Sequence, residues 1–467
     1  MADASSFDLV VIGAGPAGEK AAAQAAFFRK KVLVIECEAE PGGAAVHTGT
    51  LPSKTLRETA LYLSGYRSRA LYGVAVELDP SATLQHLMSR KNEIAVAESR
   101  SFRNNFERHH VEYARGRGRL VDEHHVSITT AAGERTVRGE FILIATGSKP
   151  FRPPDMDFAD PCIHDSDEIL TIDSLPKSMI ILGAGVIGCE YACMFAALGC
   201  KVTLVDSRPE ILPFLDLEIV GRLREAMAQL GIELVQNQRW KGARRVENRI
   251  EATLADGRTL AAEQLLYAAG RTGCSADLGL EHAGVTVDAR GYLPVDAHFR
   301  TNVPHVLAAG DIIGFPALAS VSMEQGRVAV CNAFGFTYKQ QIAPVMPYGI
   351  YTIPEVSSYG ETEESCKEKG IDYAIGRALF RDNPRGKITG DLQGVTKLIV
   401  DATSRKLIGV HVIGERASEL VHIGQVAIAL GGTVDLFIDI VFNYPTLADS
   451  YKYAAYQCLI ALAARAH

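Results

Sequence analysis

Two parallel α/β units of the strand-turn-helix-strand kind, followed by an α+β region, are what this sequence predicts, and three observations carry the prediction. The apolar run at residues 7–12 passes directly into Gly13-Ala-Gly15-Pro-Ala-Gly18 and an alanine-rich stretch of helical character. The same arrangement returns at residues 178–182 and Gly183-Ala-Gly185-Val-Ile-Gly188. From about residue 345 the pattern changes to short alternating strands and two closing helices, without another glycine fingerprint. A chain of 467 residues is too long for one ordinary core, so two or three domains are expected.

In the first unit, the leading glycine allows a tight turn, the second lets a pyrophosphate approach the backbone, and the third lets the helix pack on the strand. The helix N-terminus then favours the phosphate charge. A second strand at residues 31–35 ends at Glu36, 36 − 13 = 23 residues after the first glycine, where a carboxylate binds a ribose hydroxyl. In the second unit a strand at residues 201–205 ends at Asp206, and 206 − 183 is again 23. Two complete Rossmann-like fingerprints imply two dinucleotides, one FAD and one nicotinamide cofactor, NAD or NADP.

Between the fingerprints, residues 84–109 are polar with helical period, and strand-like pieces follow near 111–114 and 126–129; together they read as an insertion in the first domain. The buried run 141–147 closes in Ala145-Thr146-Gly147, and a matching run at 265–271 closes in Gly270-Arg271. These mark crossings between domains, which places a discontinuous FAD-binding domain at 1–149 and 271–344 and an NAD(P)-binding domain at 150–270. Residues 301–327 hold a further buried strand, a Gly310-Asp311 turn and an apolar helix; Asp311 at the strand's C-terminal end suits a sugar-alcohol chain. Residues 345–467 read as an interface domain, with strands at 349–352, 373–379, 394–400 and 406–413 and helices at 417–430 and 446–464. In the last helix Tyr451, Ala455, Cys458, Leu459 and Leu462 form a stripe suited to core or subunit contact.

Composition narrows the partners. With 47% hydrophobic and 22% charged residues the chain is of the soluble globular class, and a formal charge of −7 offers no footprint for nucleic acid or an anionic membrane. The nine cysteines show no metal-ligand spacing, so no metal is expected, and free thiols suit a cytoplasmic protein. Cys189 and Cys193 share a helix face, as packing residues do. The N-terminus has no basic region or cleavage site of a signal peptide, and its apolar run has the length of a strand.

The stretch at residues 42–54, Gly-Gly43-Ala-Ala45-Val-His47-Thr-Gly49-Thr50-Leu-Pro52-Ser53-Lys54, resembles the redox-active element of flavin-dependent disulfide reductases, GG-x-C-x4-C-x-PSK, with both cysteines replaced. The order of fingerprint, this element, ATG, second fingerprint, AAGR, AAGD and interface domain covers nearly the whole chain. It is similar to the pyridine nucleotide-disulfide oxidoreductase family of FAD homodimers. The resemblance implies that the isoalloxazine lies near the segment containing Gly43 and Lys54, that the nicotinamide stacks on its other face, and that Lys54 pairs with Glu190 beside the flavin. It also implies an acid/base histidine before Pro-Thr near the C-terminus; Tyr444 stands there, and Asp449 stands for a glutamate. Phenol, with a reference pKa of about 10, is a poor proton shuttle at neutral pH.

Both halves of the thiol machinery are therefore missing together. The motifs around residues 47–54 and 442–446 look like the transhydrogenase branch of that family, although members of that branch often keep a cysteine at the position of Ala45. The function expected is hydride transfer between NADPH/NADP and NADH/NAD through the flavin, in ping-pong fashion. An ammonium at Lys54 would favour the charge that reduction brings. His47 is a candidate beside the flavin or the dimer partner, or a structural hydrogen-bonding residue. Choice between the nicotinamides is expected at Asp206-Ser207-Arg208: the acid suits the free ribose of NAD, while Ser207 and Arg208 suit a 2′-phosphate. Two other readings stay open: an NAD(P)H:quinone or dye reductase, and a flavoprotein binding component with little catalysis.

Overall fold

The computed structural model describes residues 5–66, 71–73 and 76–465. The chain falls into two compact units. One comprises the residues up to Thr55, Met88–Arg152 and Gly270–Pro344; the other comprises Leu56–Leu87, Pro153–Ala269 and the chain from Val345 onward.

The first unit is built on the strand Ser5–Ile12, whose Leu9-Val-Val-Ile12 run is buried on both faces, as a central parallel strand requires. It lies between Val32–Glu36 and Gly133–Ile144, both parallel to it, with Leu9 opposite Val32 on one side and Phe141 on the other. Val306–Ala308 extends the sheet in parallel beyond Ile142–Ile144. The strand Gly133–Ile144 does double duty, because its first half pairs antiparallel with His125–Thr130, which in turn pairs with Arg117–Leu120. The helix Pro16–Phe27 packs its alanines against Ala319–Ala333, where a Cβ on Gly326 would come 2.2 Å from the Ala17 carbonyl oxygen.

One expectation changes here. The helix at 84–109 is the 29-residue helix Pro80–Arg108, and the strand after it, Glu112–Arg115, pairs in parallel with Val32–Glu36. The segment is thus partly an integral crossover of the main sheet, since a parallel partner needs a long connection to return to the same end. Ser148–Pro150, which follows the ATG motif, and Arg271–Gly273, which begins at the arginine of AAGR, pair antiparallel with each other.

The second unit holds two larger sheets. One is parallel, in the order Glu233–Val235, Lys201–Val205, Ser178–Leu182, Gln264–Tyr267, Ile163–Asp165, and repeats the arrangement of the first fingerprint. A three-stranded antiparallel sheet, Trp240–Val246, Arg249–Leu254 and Thr259–Ala262, precedes its fourth strand in sequence and contributes Ile250, Ala252 and Leu254 to the same core.

The other sheet is antiparallel, from Tyr348–Ile350 through Val356–Gly360, Leu407–Ile413 and Val395–Asp401 to Tyr373–Leu379. Helices Ala417–Ala429 and Ser450–Ala463 cover it. The expected strand at 349–352 is shorter, and its partner Val356–Gly360 follows after a five-residue loop. In the last helix Tyr451, Ala455 and Cys458 are fully buried, and Leu459 and Leu462 pack against the same core. Cys189 and Cys193 are buried as well, and burial pushes both thiols up. Among the described residues no helix is long and apolar enough to cross a membrane.

Candidate active site

The first cradle is made of backbone. Gly13 has φ +108°, and a Cβ there would come 2.4 Å from the Ala145 carbonyl oxygen, so only glycine lets the turn pass beside the residues that follow the strand Gly133–Ile144. A Cβ on Gly43 would come 3.0 Å from the Gly15 Cα. Gly15 and Gly43 therefore face each other with no side chain between them. The helix Pro16–Phe27 has Gly15 as its N-cap and no side-chain cap, which leaves its first amides for an anion. At the strand end Glu36 is buried; its Oε2 accepts the Ala14 amide at 2.8 Å and its Oε1 the Glu38 amide at 2.9 Å. Burial, then the Glu36 and Glu38 charges, push the neighbouring Cys37 thiol up to about 11, so it is not a thiolate nucleophile at neutral pH. A bare floor, open helix amides and a fixed carboxylate fit the pyrophosphate and ribose of FAD.

Asp311 opens a short turn after the strand Val306–Ala308. Its Oδ2 accepts Ser148 Oγ at 3.1 Å and its Oδ1 accepts Ser322 Oγ at 3.4 Å. Ser148 also accepts from Arg271 Nε at 2.8 Å, and Arg271 Nη2 donates to the Ser148 carbonyl at 2.7 Å. Thr146 Oγ1 donates to the Cys274 carbonyl at 2.8 Å, and the Gly147 carbonyl accepts the Cys274 amide at 3.0 Å. Gly270, with φ +139°, accepts the Phe151 amide at 3.1 Å through its carbonyl. Arg271 closes the AAGR motif but was given no role from the sequence, and Ser148, which follows ATG, was not singled out.

Residues 42–54 form two helices, Gly43–His47 and one that begins at Thr50 and runs to Leu63. Ala45 lies on the first, and Thr50 opens the second. His47 Nε2 lies 3.0 Å from the Pro41 carbonyl oxygen, which only accepts, so Nε2 carries the proton. Ser99 Oγ donates to the same carbonyl at 2.9 Å. His47 and Ser99 of the helix Pro80–Arg108 thus share the Pro41 carbonyl as acceptor. Lys54 Nζ, half-buried, donates to Ser53 Oγ at 3.3 Å.

The second cradle repeats the first. Gly183 has φ +107°, with the Ala268 carbonyl oxygen 2.8 Å from where its Cβ would be, and Gly185 caps Val186–Ala197 without a side-chain bond. A Cβ on Gly188 would meet the Gly183 carbonyl oxygen at 1.8 Å. Asp206 Oδ2 accepts the Ala184 amide at 2.6 Å, as Glu36 does that of Ala14. Ser207 is exposed beside it, and Arg208 is folded back onto the acid. On the helix Val186–Ala197, Glu190 is buried, and its Oε1 accepts the Tyr351 amide at 2.9 Å. Tyr444 is 68% exposed, and its amide donates to Asn443 Oδ1 at 3.1 Å.

Two dinucleotide cradles of one design, followed by an antiparallel sheet under two helices, define a two-nucleotide flavin oxidoreductase. The chain belongs to the pyridine nucleotide-disulphide oxidoreductase family, whose model matches residues 7–326, and the family's dimerisation domain matches residues 346–455. Members bind FAD and a nicotinamide dinucleotide. The chain is 44% identical to a soluble pyridine nucleotide transhydrogenase of Mycobacterium bovis, over 96% of each chain. It is 40% identical to one of Hahella chejuensis, over 96% of this chain and 97% of the other. Among solved structures it resembles the HOCl-induced flavoprotein disulfide reductase RclA from Escherichia coli, with a TM-score of 0.87 and 26% identity over 96% of this chain and 99% of that one. LpdA from Mycobacterium tuberculosis is similar at a TM-score of 0.87 and 28% identity, over 97% and 99%.

Proposed function

We propose that this protein is an FAD-dependent soluble transhydrogenase that moves hydride between NADPH/NADP and NADH/NAD in two half-reactions sharing one nicotinamide site. The observation that carries the reading is the pair Ala45 and Thr50: the redox-active element has no thiol at either position, while Lys54 and both dinucleotide cradles are kept. The names of the relatives with 38–44% identity support it. Bound FAD supplies a two-electron centre that takes hydride from one nicotinamide and returns it to another. The chain's own work is placement and charge. Gly13, Gly15 and Gly18 with Glu36 hold the flavin's dinucleotide, and Asp311 its sugar-alcohol chain. Gly183, Gly185 and Gly188 with Asp206, Ser207 and Arg208 hold the nicotinamide substrate. Lys54 and Glu190 are assigned to the reacting end on the strength of the family resemblance, with the Lys54 ammonium favouring the charge that reduction brings.

We divide the labour among 1–149 with 271–344 for FAD, 150–270 for the nicotinamide and 345–467 for the contact within a homodimer. Nine free cysteines support a cytoplasmic setting. The test is anaerobic: the FAD-loaded protein is reduced with NADPH, and thio-NAD is then added. Rapid reduction of thio-NAD is expected. Reoxidation by quinones alone would replace this reading with a quinone reductase, and no reoxidation by either would leave a binding flavoprotein.

A further inference from the structure

Arg57 lies one turn beyond Lys54 on the helix Thr50–Leu63 and is 3% exposed. A guanidinium keeps its charge in a protein, so burial demands partners. Nε and Nη2 both donate to the Thr352 carbonyl oxygen, at 3.0 and 2.9 Å, and Nη1 donates to Glu355 Oε1 at 3.1 Å and to Glu58. Glu355 is buried too, and its other oxygen accepts Ser418 Oγ at 3.0 Å. The residue before Thr352 is Tyr351, whose amide donates to Glu190 Oε1 at 2.9 Å. One peptide unit therefore separates the guanidinium's grip from the Glu190 carboxylate. The Cys193 thiol, one turn after Glu190, reports the same packing: burial raises its pKa, while the Ile353 amide and the Arg57 charge act against that rise.

We propose that Arg57 is a positioning residue for hydride transfer: by clamping residues 351–355 it fixes the Tyr351 amide and, through it, the orientation of Glu190. The proposal rests on the assignment of Glu190 to the reacting end. The geometry explains why the position holds arginine. Its planar fork reaches a carbonyl and a carboxylate at once, which a lysine ammonium does not reproduce in that geometry. The amide-to-carboxylate bond it protects is charge-assisted and directional, and a shifted loop would let the carboxylate turn.

The experiment is anaerobic stopped-flow reduction of the FAD-loaded full chain by NADPH, which gives a limiting rate and a dissociation constant for each variant. Glu190→Gln is expected to lower the limiting rate. Arg57→Met should lower it roughly tenfold and leave the NADPH dissociation constant within about twofold, because orientation and not nucleotide binding is lost. Arg57→Lys and Glu355→Gln should fall between it and the parent. The double variant Arg57→Met/Glu190→Gln should be no slower than the slower single, as for residues that act as a unit. Parent-like rates in the Arg57 and Glu355 variants beside a slow Glu190→Gln would overturn the proposal and leave the Glu190 assignment standing; so would a double variant whose losses multiply. A parent-like rate in Glu190→Gln would remove the assignment and the proposal together. If Arg57→Met does not retain FAD, Arg57→Lys and Glu355→Gln decide by the same rates.

Discussion

Arg208 grips Asp206 at two points, Nε to Oδ1 at 2.9 Å and Nη2 to Oδ2 at 2.8 Å, and its own amide adds a bond to Oδ1 at 2.8 Å. The acid and the cation that should divide NADH from NADPH are thus engaged with each other. Burial alone would raise the Asp206 carboxyl, but the Arg208 and Ala184 hydrogen bonds hold it below the usual range, so it is ionised at neutral pH. The guanidinium is 45% exposed while the Asp206 side chain is 6% exposed, so water screens the pair from the arginine's side only. Arg208→Ala removes the phosphate's cation and frees the acid that repels it. We expect kcat/KM for NADPH to fall roughly tenfold or more, with NADH changed by less than about threefold. Equal losses for both would remove Arg208 from the 2′-phosphate site.

Lys397 makes a second kind of prediction. Its Nζ is fully buried, 2.7 and 2.9 Å from the two Asp216 oxygens and 3.1 Å from Glu218, with Glu363 also bonded to it. The Asp216 side chain is equally buried. Lys397→Met leaves that carboxylate without its cation, and breaking a buried pair from one side costs about 3–5 kcal/mol. The unfolding midpoint in urea should fall accordingly, with the fold retained in low denaturant.

The same cluster sets an acid limit. Burial lowers the pKa of His411, with the Lys397 charge acting the same way and Asp216 opposing. The ring is held neutral, its Nε2 2.8 Å from the Glu361 carbonyl oxygen and its Nδ1 3.0 Å from Ser358 Oγ. A histidine whose folded pKa is depressed contributes stability above its unfolded value of about 6.5 and loses it as pH falls towards the folded one. Asp216 and Glu218 are also held below their usual values, although burial opposes this, so their contribution is present above about pH 4 and is lost below it. The Lys397 pKa is raised by Asp216 and Glu363 against burial, so its share is lost only as pH rises through that raised value. Urea midpoints should therefore decline from about pH 6.5 downward, in a first step that His411→Gln weakens. A midpoint flat between pH 7 and 5 would contradict it.

The two cradles predict separable losses. A Cβ on Gly18 would come 2.0 Å from the Gly13 carbonyl oxygen, and one on Gly188 would come 1.8 Å from that of Gly183. Both oppose backbone, which cannot swing away as a side chain can. Gly18→Ala is expected to yield protein with much less flavin, whereas Gly188→Ala should keep its flavin absorbance and lose most turnover with nicotinamides. Flavin-to-protein ratio and steady-state rates distinguish these outcomes; loss of flavin from Gly188→Ala would break the assignment of the cradles.

Much of the fold was legible because it rests on short-range rules. The unbroken apolar strands, the glycines beside Ala145 and Ala268, and the acids at the strand ends all lie within spacings that a sequence displays. The two acids repeat one contact, to Ala14 and to Ala184, as their equal spacing implies. What escaped depends on distant partners. Arg57 reads as an ordinary helix residue until Thr352 and Glu355, some 295 and 298 positions away, are found against it. Lys397 lies in a strand that is buried from Val395 to Val400, yet nothing local announces that Asp216 would pair with it there. The sheet spanning Trp240–Ala262 was also missed: its middle strand, Arg249–Leu254, alternates cleanly, but the two strands that flank it mix polar and apolar residues without that period.

The last prediction concerns the missing thiols. Ala45 lies on the helix Gly43–His47, and Thr50 opens the next one, in the order the disulfide-reducing relatives require. Ala45→Cys/Thr50→Cys restores the dithiol but not the acid/base group, since position 444 offers a phenol where the disulfide-reducing relatives carry an imidazole. Opening a disulfide substrate leaves a thiolate that must be protonated, and a phenol at pH 7 returns protons too slowly to turn over. The double variant should therefore gain two titratable thiols after reduction and show little activity with lipoamide or glutathione disulfide. Adding Tyr444→His should raise that activity at least roughly tenfold, with NADPH-to-thio-NAD transfer falling as electrons drain to the new dithiol. Substantial disulfide reduction by the unaltered chain would show that residues 42–54 are not the element from which thiol chemistry was lost.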